Sequence, residues 1–394
     1  MIYSEFQGKQ ISALGLGCMR LPVNEDKSID IERTREMVAR AFAGGINYFD
    51  TARPYHNGTS EAVIGQILKD YPRDSFYLAT KFPGHQISST GYYPAPIFEE
   101  QLKTCGVEYF DFYLLHNVYE KSMETYLDPQ WGIIDYFLEQ KRLGRIKHLG
   151  FSCHAQTAGL REFLDACGEH MEFCQIQLNY LDWSLQDAEG KYKLLEERGI
   201  PVWVMEPVRG GKLANLSEKD LADMQSLCPG RSPASWCFRF LQGLSAVKVV
   251  LSGMSDMQQL EDNLATFEER RPLNEEELAL AFGIAEGMKG SIPCTACRYC
   301  CDGCPMELDI PKLLRIYNET RFAESINTSM WAQAIPDDKL PSACIGCGKC
   351  ARVCPQNIDI PAVMKQADKA FRSLPSWEAI CRQREEAAKA AKSE

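Results

Sequence analysis

No apolar run in this chain reaches the roughly 18 residues that a membrane-spanning helix needs, so no membrane association is expected. Basic charge is in short supply: 43 Lys and Arg stand against 54 Asp and Glu, a net charge of −11. A nucleic-acid binder must neutralise phosphates with a basic face, so no nucleic-acid partner is expected either. Residues 1–10 are mixed and polar and lack the basic-then-apolar order of a secretory signal, which leads to the expectation of a cytoplasmic protein. A fourth absence concerns fold: Gly15-Leu16-Gly17-Cys18-Met19-Arg20 has no third glycine. That argues against the glycine-rich first turn of a doubly wound dinucleotide-binding sheet. What remains is the composition of a globular protein, 45% hydrophobic and 25% charged over 394 residues. The length suits two domains, or one large barrel with an appendage.

Cysteine is what the sequence has in excess. Nine of its 17 cysteines crowd into residues 294–354, and in a reducing compartment such crowding points to metal or redox chemistry. The other eight are scattered and are read mostly as small buried apolar residues. The first run is Cys294-x2-Cys297-x2-Cys300-x3-Cys304-Pro305 and the second is Cys344-x2-Cys347-x2-Cys350-x3-Cys354-Pro355. Both have the bacterial spacing for [4Fe–4S] clusters, in which the fourth cysteine of each run serves the other cluster. Cys294, Cys297, Cys300 and Cys354 are therefore expected to hold one cluster, and Cys344, Cys347, Cys350 and Cys304 the other. Structural zinc is the competing reading, but it ordinarily uses two separated C-x2-C pairs. Cys301 is an extra thiol. The repeat continues into Asp309-Ile310-Pro311 and Asp359-Ile360-Pro361, where proline suits the first turn of a helix. With a helical pattern at 312–322 between the runs, the segment looks like a helical two-cluster ferredoxin.

Ahead of it, short apolar runs at 13–17, 46–50, 76–81, 112–116, 148–152, 173–177, 202–205 and 247–251 read as eight strands. Amphipathic stretches such as 33–43 and 136–141 lie between them. Eight strands alternating with helices predict a parallel (β/α)8 TIM barrel. The expected organisation is a barrel over 1–272, a helical linker over 273–290 and a ferredoxin-like domain over 291–376. A helix at 274–288 capped by Asn274 fills most of the linker, and a break at 289–293 follows it. A charged helix or tail over 377–394 ends the chain.

Several motifs in the barrel resemble the aldo/keto reductase family. They are Asp50-Thr51-Ala52-Arg53-Pro54-Tyr55-His56-Asn57-Gly58-Thr59-Ser60-Glu61, Lys81 at a strand end, His116 closing 111–116, and the segment 144–152. The resemblance covers about residues 1–270. It implies Tyr55 as proton donor, Lys81 as its modulator, Asp50 as the partner that holds Lys81, and His116 as the group that positions a carbonyl. An ammonium beside Tyr55 is expected to lower the phenol pKa. The resemblance also implies a nicotinamide gripped by Gly17, Cys18, Met19, Asp50, Ser152, Cys153, Gln175 and Met205. Gly253, Ser255, Gln259, Asp262 and Asn263 would hold the rest of the dinucleotide. Cys153 stands where Asn is usual, Met205 where Tyr is usual, and Gln259 where the family often has Arg for a 2′-phosphate. A neutral Gln cannot make that charge-assisted bond, so NAD competes with NADP. FMN in the reshaped pocket is the minority alternative. The implied activity is hydride transfer on a small-molecule carbonyl or alcohol, with two [4Fe–4S] clusters that pass electrons to or from an external carrier or serve a structural or sensing role. A non-catalytic or flavin-dependent electron-transfer protein is the alternative. Aromatic residues in the loops 85–96 and 117–131 suggest an apolar or ring-bearing substrate.

Overall fold

The computed structural model describes residues 1–86, 91–289, 292, 294, 297–322 and 326–391. The predicted break at 289–293 therefore lies largely outside the described residues, as do part of the 85–96 loop and the last three residues. Two compact units emerge. One comprises residues 1–183, 187–282 and 384–394, and the other residues 184–186 and 283–383. Among the described residues no helix is long and apolar enough to cross a membrane.

The first unit is a closed eight-stranded parallel barrel. Its staves are β3 (Leu14–Gly17), β4 (Tyr48–Asp50), β5 (Tyr77–Phe82), β6 (Phe110–Val118), β7 (Ile146–Cys153), β8 (Cys174–Gln177), β9 (Val202–Met205) and β10 (Val247–Ser252). β10 pairs with β3 to close the ring, with Val250 opposite Leu14. All eight predicted strands are present, and helices such as Ile31–Ala43 and Ile133–Arg142 follow them as the apolar periodicity requires. In the first of these, Asp30 accepts a hydrogen bond from the Arg33 N–H as N-cap.

A feature absent from the sequence reading precedes the barrel. Residues taken as mixed and polar form an antiparallel hairpin of β1 (Tyr3–Phe6) and β2 (Lys9–Ser12). Gln7 (φ 49°) and Gly8 (φ 80°) make the left-handed two-residue turn that matches strand twist. Phe6 is buried against Phe112, Trp203 and His148, with ring centroids 5.8, 5.1 and 5.0 Å away. Because Phe112 and His148 lie early in their strands, the hairpin stoppers the N-terminal end of the barrel. The C-terminal ends, where such barrels keep their chemistry, are left to the loops.

The helix Glu275–Lys289 starts as predicted. Asn274 Oδ1 accepts from the Glu277 N–H at 2.9 Å, and Glu277 returns a carboxylate to the Asn274 N–H at 2.9 Å. The second unit repeats itself at an offset of fifty residues. Short helices Tyr299–Asp302 and Lys349–Arg352 pack together, as do the longer Ile310–Phe322 and Ile360–Ser373. Left-handed residues recur in register: Arg298 with Gly348, and Glu307 with Asn357. Leu308, Ile310, Leu314, Ile358, Ile360 and Met364 form the buried centre, with cysteines of both runs packed against it. The helix Ile326–Gln333 was not foreseen.

Candidate active site and cysteine cavities

Asp50 ends β4, Lys81 lies near the end of β5, and His116 lies near the end of β6. Tyr55 opens the short 3-10 turn Tyr55–Gly58 that follows β4. The parallel register sets Asp50 beside Ala79 and Lys81 beside Leu114, so adjacent strands deliver these side chains to one end of the barrel. Lys81 is fully buried, and its ammonium uses all three protons. It donates to Asp50 Oδ1 at 2.5 Å, to the Thr51 carbonyl at 2.9 Å and to the Tyr55 hydroxyl at 3.2 Å. Gln175 donates to the other Asp50 oxygen at 3.4 Å. Tyr55 meets the edge of His116, with centroids 6.0 Å apart at 83°. The structure thus gathers Asp50, Tyr55, Lys81, His116 and Gln175 into one cluster.

Its electrostatics differ in one respect from expectation. Burial opposes charge on Lys81, but Asp50 and then Tyr55 outweigh it and hold the ammonium above its ordinary pKa. The Tyr55 hydroxyl was expected to shift down; it shifts up, because burial and the Asp50 charge exceed the pull of Lys81. Tyr55 is accordingly a protonated phenol at neutral pH, the form a proton donor needs. Burial first, and then neighbouring His85 and Lys81, push His116 well below the usual histidine range, so it is neutral. His85 lies 4.5 Å from His116, centroid to centroid. Among the described residues His116 Nδ1 has no hydrogen-bond partner.

A buried network behind Lys81 escaped the sequence reading. Thr80 and Gln101 donate to Glu61 Oε1 at 2.5 and 2.7 Å, Gln101 also donates to the Lys81 carbonyl at 3.1 Å, and Tyr113 donates to Gln101 at 2.6 Å. Nothing local in sequence links these residues, because they meet only when β5, β6 and two helices close on each other.

The predicted cofactor residues lie around the same rim. Gly17 and Gly253 face close backbone and side-chain neighbours: a Cβ on Gly17 would sit 3.3 Å from the Ser252 carbonyl, and one on Gly253 3.0 Å from Arg20 Cβ. Cys18 is buried and its thiol pushed up by burial, whereas Met19 is exposed. Ser152 Oγ accepts from the Asn117 N–H at 2.7 Å. Cys153 is buried, its thiol raised to about 12 by burial, and Met205 closes β9 half-buried. Ser255 donates to the Arg20 carbonyl at 2.9 Å, Gln259 Oε1 accepts from the Ser255 N–H at 2.9 Å, and Asn263 donates to Ser252 Oγ at 3.1 Å. The Asp262 carboxylate accepts from Ser232 at 2.6 Å. Arg20, 3.8 Å from Glu206, joins this rim without having been predicted; the left-handed Glu206 marks the turn that brings them together.

In the second unit the cysteines line two cavities. One is walled by Cys304, Cys344, Cys347 and Cys350; the other by Cys294, Cys297, Cys300 and Cys354. Three thiols of one run and the fourth of the other therefore share each cavity. Among the described residues no three His, Cys, Asp or Glu side chains are arranged to hold a single metal ion. Four thiols around a cavity suit a multi-atom cube, whose corners are spread apart, rather than one zinc ion at about 2.3 Å from each sulfur. The eight cysteines outside the runs are all buried.

Comparison with known proteins agrees with both units. The model of a 4Fe-4S dicluster domain matches residues 293–358. A probable aldo-keto reductase of Glycine max is 28% identical over 212 residues, 52% of this chain; the match spans 58% of that relative's length. An NADH-specific methylglyoxal reductase of Escherichia coli is 27% identical over 228 residues, 53% of this chain and 68% of the relative. The solved holo structure of an aldo-keto reductase from Bacillus halodurans superposes with a TM-score of 0.58 at 26% identity, over 72% of this chain and 95% of that one. The model of the aldo/keto reductase family matches residues 13–285, two-thirds of the chain and all eight staves of the barrel, and the protein belongs to that family.

Proposed function

We propose that the barrel is an NAD(P)-linked oxidoreductase for a small carbonyl/alcohol pair, with Tyr55 as proton donor. The observation that carries this reading is the placement of the Tyr55 hydroxyl, held 3.2 Å from Lys81 Nζ at the open end of the barrel beside a neutral His116. Bound nicotinamide would supply the hydride. The chain's own residues do the rest. His116 orients the carbonyl oxygen toward the Tyr55 hydroxyl, which gives up its proton as negative charge gathers on that oxygen. Lys81 stabilises the phenolate left behind, and Asp50, fixed by Gln175, keeps Lys81 charged. Gln259 is neutral and already bonded to the Ser255 N–H, which favours NAD over NADP.

The cysteine cavities would hold two [4Fe–4S] clusters, one through Cys294, Cys297, Cys300 and Cys354 and the other through Cys344, Cys347, Cys350 and Cys304. Such clusters exchange electrons singly. Ile360 lines both cavities, so about one side chain separates the two sites. That proximity favours electron relay over two independent structural staples. The test is Tyr55→Phe, assayed for NADH- and NADPH-dependent reduction of a panel of small aldehydes and ketones. A loss of at least about a hundredfold in kcat with unchanged iron content is expected. Turnover equal to that of the parent protein refutes the assignment.

A further inference from the structure

We propose that the outer face of the second cysteine run is a docking surface for an acidic one-electron carrier protein. This rests on the reading that clusters fill the two cavities. Three of the most exposed large apolar side chains among the described residues fall inside the cysteine runs: Ile345 at 64%, Tyr299 at 62% and Val353 at 50%. The folding of this unit does not account for them, since its core is complete without them. Ile345 lies on the wall of the cavity of Cys304, Cys344, Cys347 and Cys350, beside the exposed Cys347. Val353 follows the short helix Lys349–Arg352, against which the helix carrying Tyr299 packs.

Charge selects the partner. Between Cys344 and Cys354 the chain has two cations, Lys349 and Arg352, and no acid, in a protein of net charge −11. Both side chains are exposed, and among the described residues neither forms a salt bridge. The neighbouring Arg298 is occupied by Asp309, and the acidic Glu307 by Lys339. An acidic carrier would be drawn to these two cations, which orients its encounter. Apolar residues beside the cavity then allow the close, short-lived contact that electron-transfer pairs make over small interfaces. In each encounter the carrier's reduced centre loses one electron and the cluster gains it.

The experiment is stopped-flow bleaching of the visible cluster absorbance of the full chain by a reduced acidic [2Fe–2S] ferredoxin. Ferredoxin with its carboxylates amidated, and methyl viologen radical, serve as comparison donors. The native ferredoxin should react faster than the amidated one, and its rate should fall as salt is raised. Lys349→Glu/Arg352→Glu should slow it at least about tenfold while leaving iron content and the viologen rate unchanged. Equal rates for native and amidated ferredoxin, or for parent and double variant, overturn the docking surface. If the variant loses iron, the salt and amidation comparisons on the parent protein decide alone. Parent protein purified anaerobically without iron sinks the cluster reading and this one together, whereas iron without preference for the acidic donor sinks this one only.

Discussion

Replacing Glu172 with glutamine should expose how the floor of the barrel is fastened. Glu172 Oε1 accepts the Leu149 N–H at 2.8 Å and pairs with Lys141 at 2.7 Å; Oε2 accepts from Gln7 at 3.0 Å and faces His148 Nδ1 at 3.0 Å. Burial works against its charge, but the hydrogen bonds from His148, Lys141 and the Leu149 N–H prevail and lower the carboxyl from 4.5 to about 2. A fall of that size corresponds to about 3 kcal/mol of folding free energy, at about 1.4 kcal/mol per unit. Because the folded value is the depressed one, this contribution is fully present above the unfolded value of 4.5 and drains away as pH falls toward 2. The side chain is only 15% exposed, so screening by solvent is modest. Glu172→Gln should therefore destabilise the barrel by up to about 3 kcal/mol at neutral pH, with the gap to the parent protein narrowing steadily below pH 4.5. Urea unfolding followed by tryptophan fluorescence across that range measures it, since Trp203 packs edge-on against Phe6 in the same floor. A neutral-pH difference below about 1 kcal/mol, or one that stays constant on acidification, refutes the reasoning.

Crosswise sharing predicts how paired cysteine variants combine. Cys354→Ser should cut iron from about eight to about four atoms per chain. Adding Cys294→Ser should change little further, whereas adding Cys344→Ser should remove the remainder; iron analysis and electron paramagnetic resonance distinguish this from run-by-run binding. Gln259→Arg should tighten NADPH binding by roughly tenfold, the worth of a charge-assisted hydrogen bond, read by fluorescence titration against NADH. Gly65→Ala would put a Cβ 2.4 Å from the Cys105 carbonyl, so a loss of about 1–3 kcal/mol in thermal unfolding is expected; an unchanged melting temperature would show that the two helices separate freely.

The barrel was legible because each stave is a short apolar run bounded by polar helix, and even the three-residue β4 was marked by Tyr48, Phe49 and Asp50. The grouping of the cysteines around two cavities follows the local spacing of the two runs. The hairpin was not, since Phe6 and buried Ser4 are the only inward side chains in its first strand. Nor was the helix Ile326–Gln333, whose Asn327, Thr328 and Ser329 are buried along with Met330 and Trp331 and give no apolar face to find. In the candidate site the sequence names Asp50, Tyr55, Lys81 and His116, which the fold brings together, but the upward shift of Tyr55 depends on depth, which only the folded chain sets.

The fifty-residue repeat ties the two halves of the second unit to each other. Each half carries three thiols for its own cavity and lends its fourth to the other, so a half in isolation could complete neither. Two copies of one half, facing each other, would complete both. The halves of the present domain are therefore interdependent, and cutting the chain between them should leave each half unable to enclose four thiols unless the two stay associated.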